Sequence, residues 1–306
     1  MAEGSNNPET VRSIILSGAE RFTEAGLVFA QGMPEAIDEA VYLCLSALGR
    51  PLDMDEAAFD DVLCDEDIHK VNAYYDQRIA ERRPASYITR RAMFAGREYY
   101  VDERVLIPRS PFAELIENGF RPWVDPGRVT RILDMCTGSG CIAIACAHQF
   151  PAADVTASDI SEEALEVARI NRTEHGLEDR LTLIRSDLFR DIGQQTFDVI
   201  ACNPPYVSEA EMQQLPAEFD HEPSLGLTAG EEGLDLVVPI LARARDYLTD
   251  DGVLFLELGY TWPDLQQRFP QVPFMWLDFE YGGEGVLTMT ARELEAYRSQ
   301  FEQAEL

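Results

Sequence analysis

The chain has 306 residues, 46% hydrophobic and 26% charged, enough for a small domain beside a larger one. Fifty-five acidic residues against 25 basic ones give a net charge of −30. Such a field repels phosphate backbones and attracts basic partners, so stable nucleic-acid binding is not expected; with no run of about 18 apolar residues, neither is a membrane span.

The first residues, "MAEGSNNPETVRS", carry neither the basic nor the apolar region of a secretory signal, and a cytoplasmic location is expected. "MPEAIDEAVYLCLSALG" sets Ile37, Val41, Leu45 and Leu48 at helical spacing, with Gly49 as a C-terminal stop. "DEDIHKVNAYYDQRIAERR" repeats the pattern with Ile68, Val71, Tyr75 and Ile79. A helical domain is therefore expected over 1–88. "SYITRRAMFAGREYYVDERVLIP", interrupted by Gly96, predicts a β-hairpin linking the domains over 89–110. Ser110 and Pro111 read as the N-cap and first turn of the next helix, opening a domain over 111–306.

From Val129 the chain alternates strand and helix. Strands are predicted at "RILDM", "DVTASD", "LTLIRSD", "FDVIACN" and "GVLFLELG", an order that implies an α/β fold with a mainly parallel sheet covered on both faces. The tail "PFMWLDFEYGGEGVLTMTARE" reads as a closing antiparallel hairpin. The six cysteines include no C-x-x-C pair, and the four histidines form no H-E-x-x-H array, so no metal site is expected. Lys70 is the only lysine, a bias that an acidic, salt-adapted, arginine-favouring proteome would also produce.

"RILDMCTGSGCIAIACA" is a strand, a glycine loop and a helix start, a combination that brings backbone close to a ligand. Gly138, Gly140 and Ala143 also satisfy G-x-G-x-x-A, which admits a nicotinamide cofactor. Three strand-end carboxylates argue against it. Asp134 precedes the loop, where it would repel a pyrophosphate but suit a cationic amine and sulfonium. Asp159, 19 residues after Gly140, is placed for ribose hydroxyls, and Asp187 for an adenine amino group. The set fits S-adenosylmethionine.

Asn203-Pro204-Pro205-Tyr206 ends the fourth strand at the edge where open α/β sheets bind ligands. A planar amide to be methylated offers two N–H donors. The Asn203 side-chain oxygen and the Pro204 carbonyl are suited to accept them, the prolines stiffen the turn, and Tyr206 offers a packing face. No general base is evident among these residues; the departing proton is expected to pass to water.

On the loop, Asp159, Asp187 and "NPPY", the sequence resembles class I S-adenosylmethionine methyltransferases acting on planar nitrogen. "PASYITRRAMFAGREYYVDERVLIPRSPFAELI" and "DHEPSLGLTAGEEGLDL" extend the resemblance, over about residues 70 to 290, to the HemK-like protein glutamine N5-methyltransferases. The resemblance implies a Rossmann-like seven-stranded sheet with a C-terminal antiparallel hairpin, and an N-terminal helical domain for substrate recognition. It implies cofactor contacts at Asp134, Cys136, Thr137, Gly138, Ser139, Gly140, Asp159, Ile160, Asp187, Leu188 and Asn203. Asn203, Pro204, Pro205 and Tyr206 would hold the glutamine, with Asn203, Pro204 and Tyr206 the catalytic set. Cys136 departs from the glycine of many relatives. "IPRSPFAELI" looks like the PrmB branch, which methylates the third large-subunit ribosomal protein, a basic partner expected to be met before ribosome assembly; release-factor enzymes read differently here. A release-factor methyltransferase, a DNA adenine-N6 methyltransferase, a nicotinamide oxidoreductase and a non-enzymatic assembly factor remain as alternatives. Nothing in the sequence fixes an oligomeric state.

Overall fold

The computed structural model describes residues 8–230 and 233–305; most of the N-terminal stretch read for a signal, and the two glutamates of "AGEEGL", lie outside them. The chain forms two compact units. One is built from the residues up to Arg91 with Pro216–His221, the other from Ala92–Leu215 with Glu222 onward.

The first unit is helical. α1 (Val11–Glu24) starts at a capping box, in which Thr10 accepts from the Ser13 N–H at 3.2 Å and the Ser13 hydroxyl oxygen accepts from the Thr10 N–H at 2.8 Å. α2 (Ala36–Leu48) ends on Gly49 in the left-handed region at φ 62°, as its sequence predicts. α3 (Asp65–Glu81) and the short α4 (Ala85–Thr89) follow. Val11, Ile14, Phe22, Leu43, Val71 and Tyr75 fill the core, with Phe22 edge-on to Tyr75 at 5.1 Å. The Tyr75 hydroxyl donates to the Ala40 carbonyl at 2.8 Å. Arg78 is buried between Glu39 and Glu218, and Arg82 reaches Glu218 at 2.8 Å. This charged cluster ties Pro216–His221 to the helices, a connection no local pattern in the sequence signals.

Where the second unit begins, β1 (Arg91–Phe94) and β2 (Arg97–Tyr100) form a two-stranded hairpin. α5 (Phe112–Glu117) follows one residue later than the expected start. Pro111 occupies its cap position, and the Ser110 hydroxyl oxygen accepts from the Phe112 N–H at 3.1 Å. β3 (Arg131–Met135), α6 (Cys141–Gln149), β4 (Asp154–Asp159), α7 (Glu162–Glu174), β5 (Leu181–Arg185) and β6 (Phe197–Cys202) come next. α8 (Glu209–Met212), α9 (Val237–Arg243), β7 (Leu248–Glu257), α10 (Trp262–Arg268), β8 (Met275–Trp276), β9 (Val286–Thr290) and α11 (Ala291–Glu305) complete the unit.

The seven strands form one sheet in the order β5-β4-β3-β6-β7-β9-β8, parallel through β7, with β9 antiparallel to both β7 and β8. This is the α/β class expected. Apolar residues bury both faces, as a parallel sheet requires. Val199 and Ala201 of β6 pack on one side with α6, and Ile200 and Cys202 pack on the other with α9 and α11. The strand order reverses beside β3, where β4 lies on one flank and β6 on the other. The crevice beyond their carboxyl ends is thus the natural ligand position. Among the described residues no helix is long and apolar enough to cross a membrane.

Candidate active site

A cavity of about 390 Å³ opens at that crevice, within the second unit, a size common for small-molecule sites. Its wall includes Cys136, Thr137, Gly138 and Ser139 after β3, Asp159 and Ile160 after β4, and Asp187 and Leu188 after β5. Asn203, Pro205 and Tyr206 after β6, and Glu257 at the end of β7, line it from the other flank.

The glycine loop is held from both sides. Its Thr137 N–H donates to the Ser158 carbonyl at 3.0 Å, and the Gly138 N–H donates to Asp159 Oδ2 at 2.9 Å. Asp159 Oδ1 accepts from the Ser161 N–H at 2.9 Å. Burial pushes the Asp159 carboxyl up from the ordinary range, and the N–H groups of Ser161, Gly138 and Ile160 partly offset this. Each carboxylate oxygen keeps a lone pair for a ligand. Gly138 has φ 54°, and a Cβ on it would meet nothing within 4 Å, so the loop backbone faces open space. Cys136 takes the left-handed region at φ 57° without being glycine.

Asp134 is placed differently from its sequence reading. Its side chain is fully buried and is not part of the cavity wall. Two donors draw it under the loop: the Thr137 hydroxyl and the Ala143 N–H in the first turn of α6, at 3.1 Å, both bonding Oδ2. Its other oxygen, Oδ1, has no hydrogen-bond partner among the described residues. Burial pushes Asp134 up to about 7, and the nearby charge of Asp159 adds to the rise. In this position the residue braces the loop from beneath. Gly140, at φ 81°, caps α6, and neither it nor the buried Pro204, which directly follows the wall residue Asn203, is itself a wall residue.

Asp187 pairs with Arg190 at 3.2 Å, and Leu188, at φ 48°, turns its carbonyl to the Ser186 hydroxyl at 2.7 Å. Asn203 is half-buried at the cavity, and among the described residues no hydrogen bond holds its side-chain amide. Tyr206 is fixed instead. Its O–H donates to Glu257 Oε1 at 3.3 Å, and its carbonyl accepts from the Thr261 hydroxyl at 2.7 Å. The chain beyond it is pinned by the Val207 N–H to the Leu227 carbonyl at 2.9 Å and by the Ala229 N–H to the Val207 carbonyl at 3.0 Å.

Four residues of this site carry no role in the sequence reading beyond a helix cap at Ser110. Glu257 accepts the Ser110 hydroxyl on Oε2. Arg109 grips Glu222 with two bonds, at 2.6 and 2.8 Å, and Glu222 Oε1 also accepts the Ile107 N–H at 3.2 Å. The last of these bonds fixes the wall segment before α5. Glu257 was the one with a signal, since it is a carboxylate at a strand end like Asp159.

What such a site can do is orient a planar polar group beside a ligand cradled by the loop. Residues 123–219 match the family described as Methyltransferase small domain. The chain is 44% identical over 297 residues to the ribosomal protein uL3 glutamine methyltransferase of Francisella tularensis subsp. tularensis, covering 97% of this chain and 95% of that one. It is 45% identical over 287 residues to the protein of the same description in Bordetella pertussis, covering 94% and 96%. The solved catalytic domain of hMettl16 in complex with MAT2A 3′UTR hairpin 6 superposes with a TM-score of 0.51 at 15% identity, over 78% of this chain and 87% of that one, a likeness of fold alone. With relatives this similar along nearly their whole length, the chain belongs to the ribosomal protein uL3 glutamine methyltransferase family.

Proposed function

We propose that the chain transfers a methyl group from S-adenosylmethionine to the side-chain amide nitrogen of a glutamine in ribosomal protein uL3. The observation that carries this reading is the Asn203 amide, unclaimed by any described neighbour and set at the mouth of β6 beside the glycine loop. S-adenosylmethionine, when bound, supplies a methyl group activated on a sulfonium. The residues present fit it: Gly138 presents bare backbone to the cavity, and Asp159 has lone pairs left for ribose hydroxyls. Cys136, Thr137, Ser139, Ile160, Asp187 and Leu188 complete that side, while Asp134 and Gly140 support the loop from behind.

On the acceptor side, Asn203 Oδ1 and the Pro204 carbonyl take the two amide hydrogens of the glutamine and aim its nitrogen, while Pro205 and Tyr206 pack its plane. An N–C bond forms as the carbon–sulfur bond breaks, and one amide proton leaves to water. Orientation and proximity contribute much of the acceleration; effective-molarity effects reach about 7–11 kcal/mol. The helical unit is assigned to recognition of uL3. The protein acts in the cytoplasm, on free uL3 before assembly, when no ribosomal RNA phosphate competes for the basic substrate.

The −30 charge then contributes to substrate capture. Raising salt from about 50 to 500 mM is expected to weaken binding of free uL3 about tenfold or more, because the Debye length shrinks several-fold. Fluorescence anisotropy with labelled uL3 measures this, and a salt-independent affinity contradicts it. The target itself is tested by mass spectrometry of ribosomal proteins and release factors incubated with enzyme and isotope-labelled methyl donor. Label on a uL3 glutamine is expected; label on a release factor alone overturns the assignment.

A further inference from the structure

The end of β7 and the turn after it enclose Tyr206 from three directions. Glu257 Oε1 accepts its phenol, and the Thr261 hydroxyl donates to its carbonyl. Gly259, at φ 49°, lies under its ring, where an added Cβ would stand 2.6 Å from ring carbon Cε2. Glu257 is buried, yet its carboxylate forms part of the cavity wall. Its second oxygen accepts the Ser110 hydroxyl, whose oxygen accepts the Phe112 N–H at 3.1 Å. One carboxylate thus joins the last residue of the Asn-Pro-Pro-Tyr turn to the wall segment that Arg109 and Glu222 fix.

We propose that Glu257 is a positioning residue for methyl transfer: it holds the Tyr206 phenol and the Ser110 hydroxyl as a pair and so fixes the ring against which the acceptor amide packs. This rests on the reading of the site as a glutamine methyltransferase and adds to it a residue and a pH dependence.

Both Glu257 oxygens act as acceptors, an arrangement that is complete in the ionised carboxylate. Protonation makes one oxygen a donor, and the phenol or the Ser110 hydroxyl must then give up its own donation. The groups facing Glu257 are Ser110 and Arg109 from the wall segment and Tyr206 from the turn after β6; Tyr260 lies beside Tyr206. Burial outweighs the bonds from Ser110 and Tyr206 and the charge of Arg109, and the carboxyl is pushed up to about 7. Below that pH a proton enters the network, and the paired acceptance of the Tyr206 phenol and the Ser110 hydroxyl is complete only above it.

The test is the pH profile of kcat for the wild type, E257Q, Y206F and the double variant, acting on uL3, with donor affinity from calorimetry. In the wild type kcat rises with pH through a value near 7. E257Q presents an amide N–H₂ to one of two donors, so at pH 8 its kcat falls about tenfold or more, the rise disappears, and donor affinity stays within about threefold. Y206F, which leaves the ring in place, loses the same rise, and the double variant is no worse than E257Q because both changes break one link. An E257Q enzyme with wild-type kcat and an unchanged rise overturns the inference, as do additive losses in the double variant. Should E257Q fail to fold, a Y206F profile that keeps the rise overturns it equally. A wild type unable to methylate uL3 at any pH overturns the underlying reading and this inference with it, a result distinct from the others.

Discussion

Asn203→Ala is expected to lower kcat on uL3 by about 100-fold or more while changing the affinity for S-adenosylmethionine by less than about tenfold. The asymmetry follows from the geometry. Asn203 contributes no bond to the glycine loop, which is held by the Ser158 carbonyl, by Asp159 and, from beneath, by Asp134. The donor side therefore survives the truncation. On the acceptor side an amide N–H loses its partner, at a cost of about 1–3 kcal/mol, and the nitrogen is free to swing off line. Misplacement by about 1 Å costs on the order of a hundredfold in rate. Single-turnover kinetics and calorimetry on the same preparation read both quantities, and an Asn203→Ala enzyme that turns over normally removes Asn203 from the mechanism.

The largest expected effect on stability belongs to Asp134. Asp134→Ala leaves the Thr137 hydroxyl and the Ala143 N–H buried without their acceptor, and a loss of about 2–4 kcal/mol is expected. Asp134→Asn keeps one acceptor oxygen and is expected to lack the wild type's loss of stability as pH rises. Burial raises the folded-state value to about 7, against about 3.9 for an unperturbed aspartate. Between these values the folded protein holds a proton that the unfolded chain has released. The stabilisation from this group is thus fully present below about pH 4 and is lost as pH climbs to 7. The asparagine cannot ionise and is spared that loss. Urea unfolding at pH 5 and pH 8 is expected to show Asp134→Asn gaining about 2–3 kcal/mol on the wild type over that interval. An equal pH slope in the two proteins would place the Asp134 titration elsewhere.

How much of this was legible in the sequence depends on the range of the interactions. β3, β4, β6 and β7 were readable because strands buried on both faces are short, mostly apolar runs, and β5, a partly exposed edge strand, because its run is bounded by an acid at Asp187. That punctuation also brought Gly138, Asp159, Asp187, Asn203 and Tyr206 to one sheet edge in the expected order. Asp134 shows the limit. Its position at a strand end was legible, but which side of the loop its carboxylate takes was decided by donors three and nine residues on, closed into reach only by the folded loop. Glu257 and Ser110 lie 147 residues apart in the chain, and Glu257 and Tyr206 lie 51 apart. No local period carries such pairings. The burial of Glu218 against Arg78 was hidden for the same reason, since an acid in a polar loop reads as solvated until a long-range partner appears. The hairpin at the tail was legible as strand, turn and strand, although β8 is only Met275–Trp276.

The most direct test of the chemistry follows the acceptor nitrogen itself. Ribosomal protein uL3 labelled with ¹⁵N in its glutamine side-chain amides is incubated with enzyme and ¹³C-methyl S-adenosylmethionine, then observed by NMR. The expected result is that one side-chain NH₂ signal is replaced by an N–H signal coupled to a ¹³C methyl, and that Asn203→Ala prevents it. A methyl group found on an oxygen, a backbone nitrogen or any residue other than glutamine, with every side-chain NH₂ signal intact, would contradict the account.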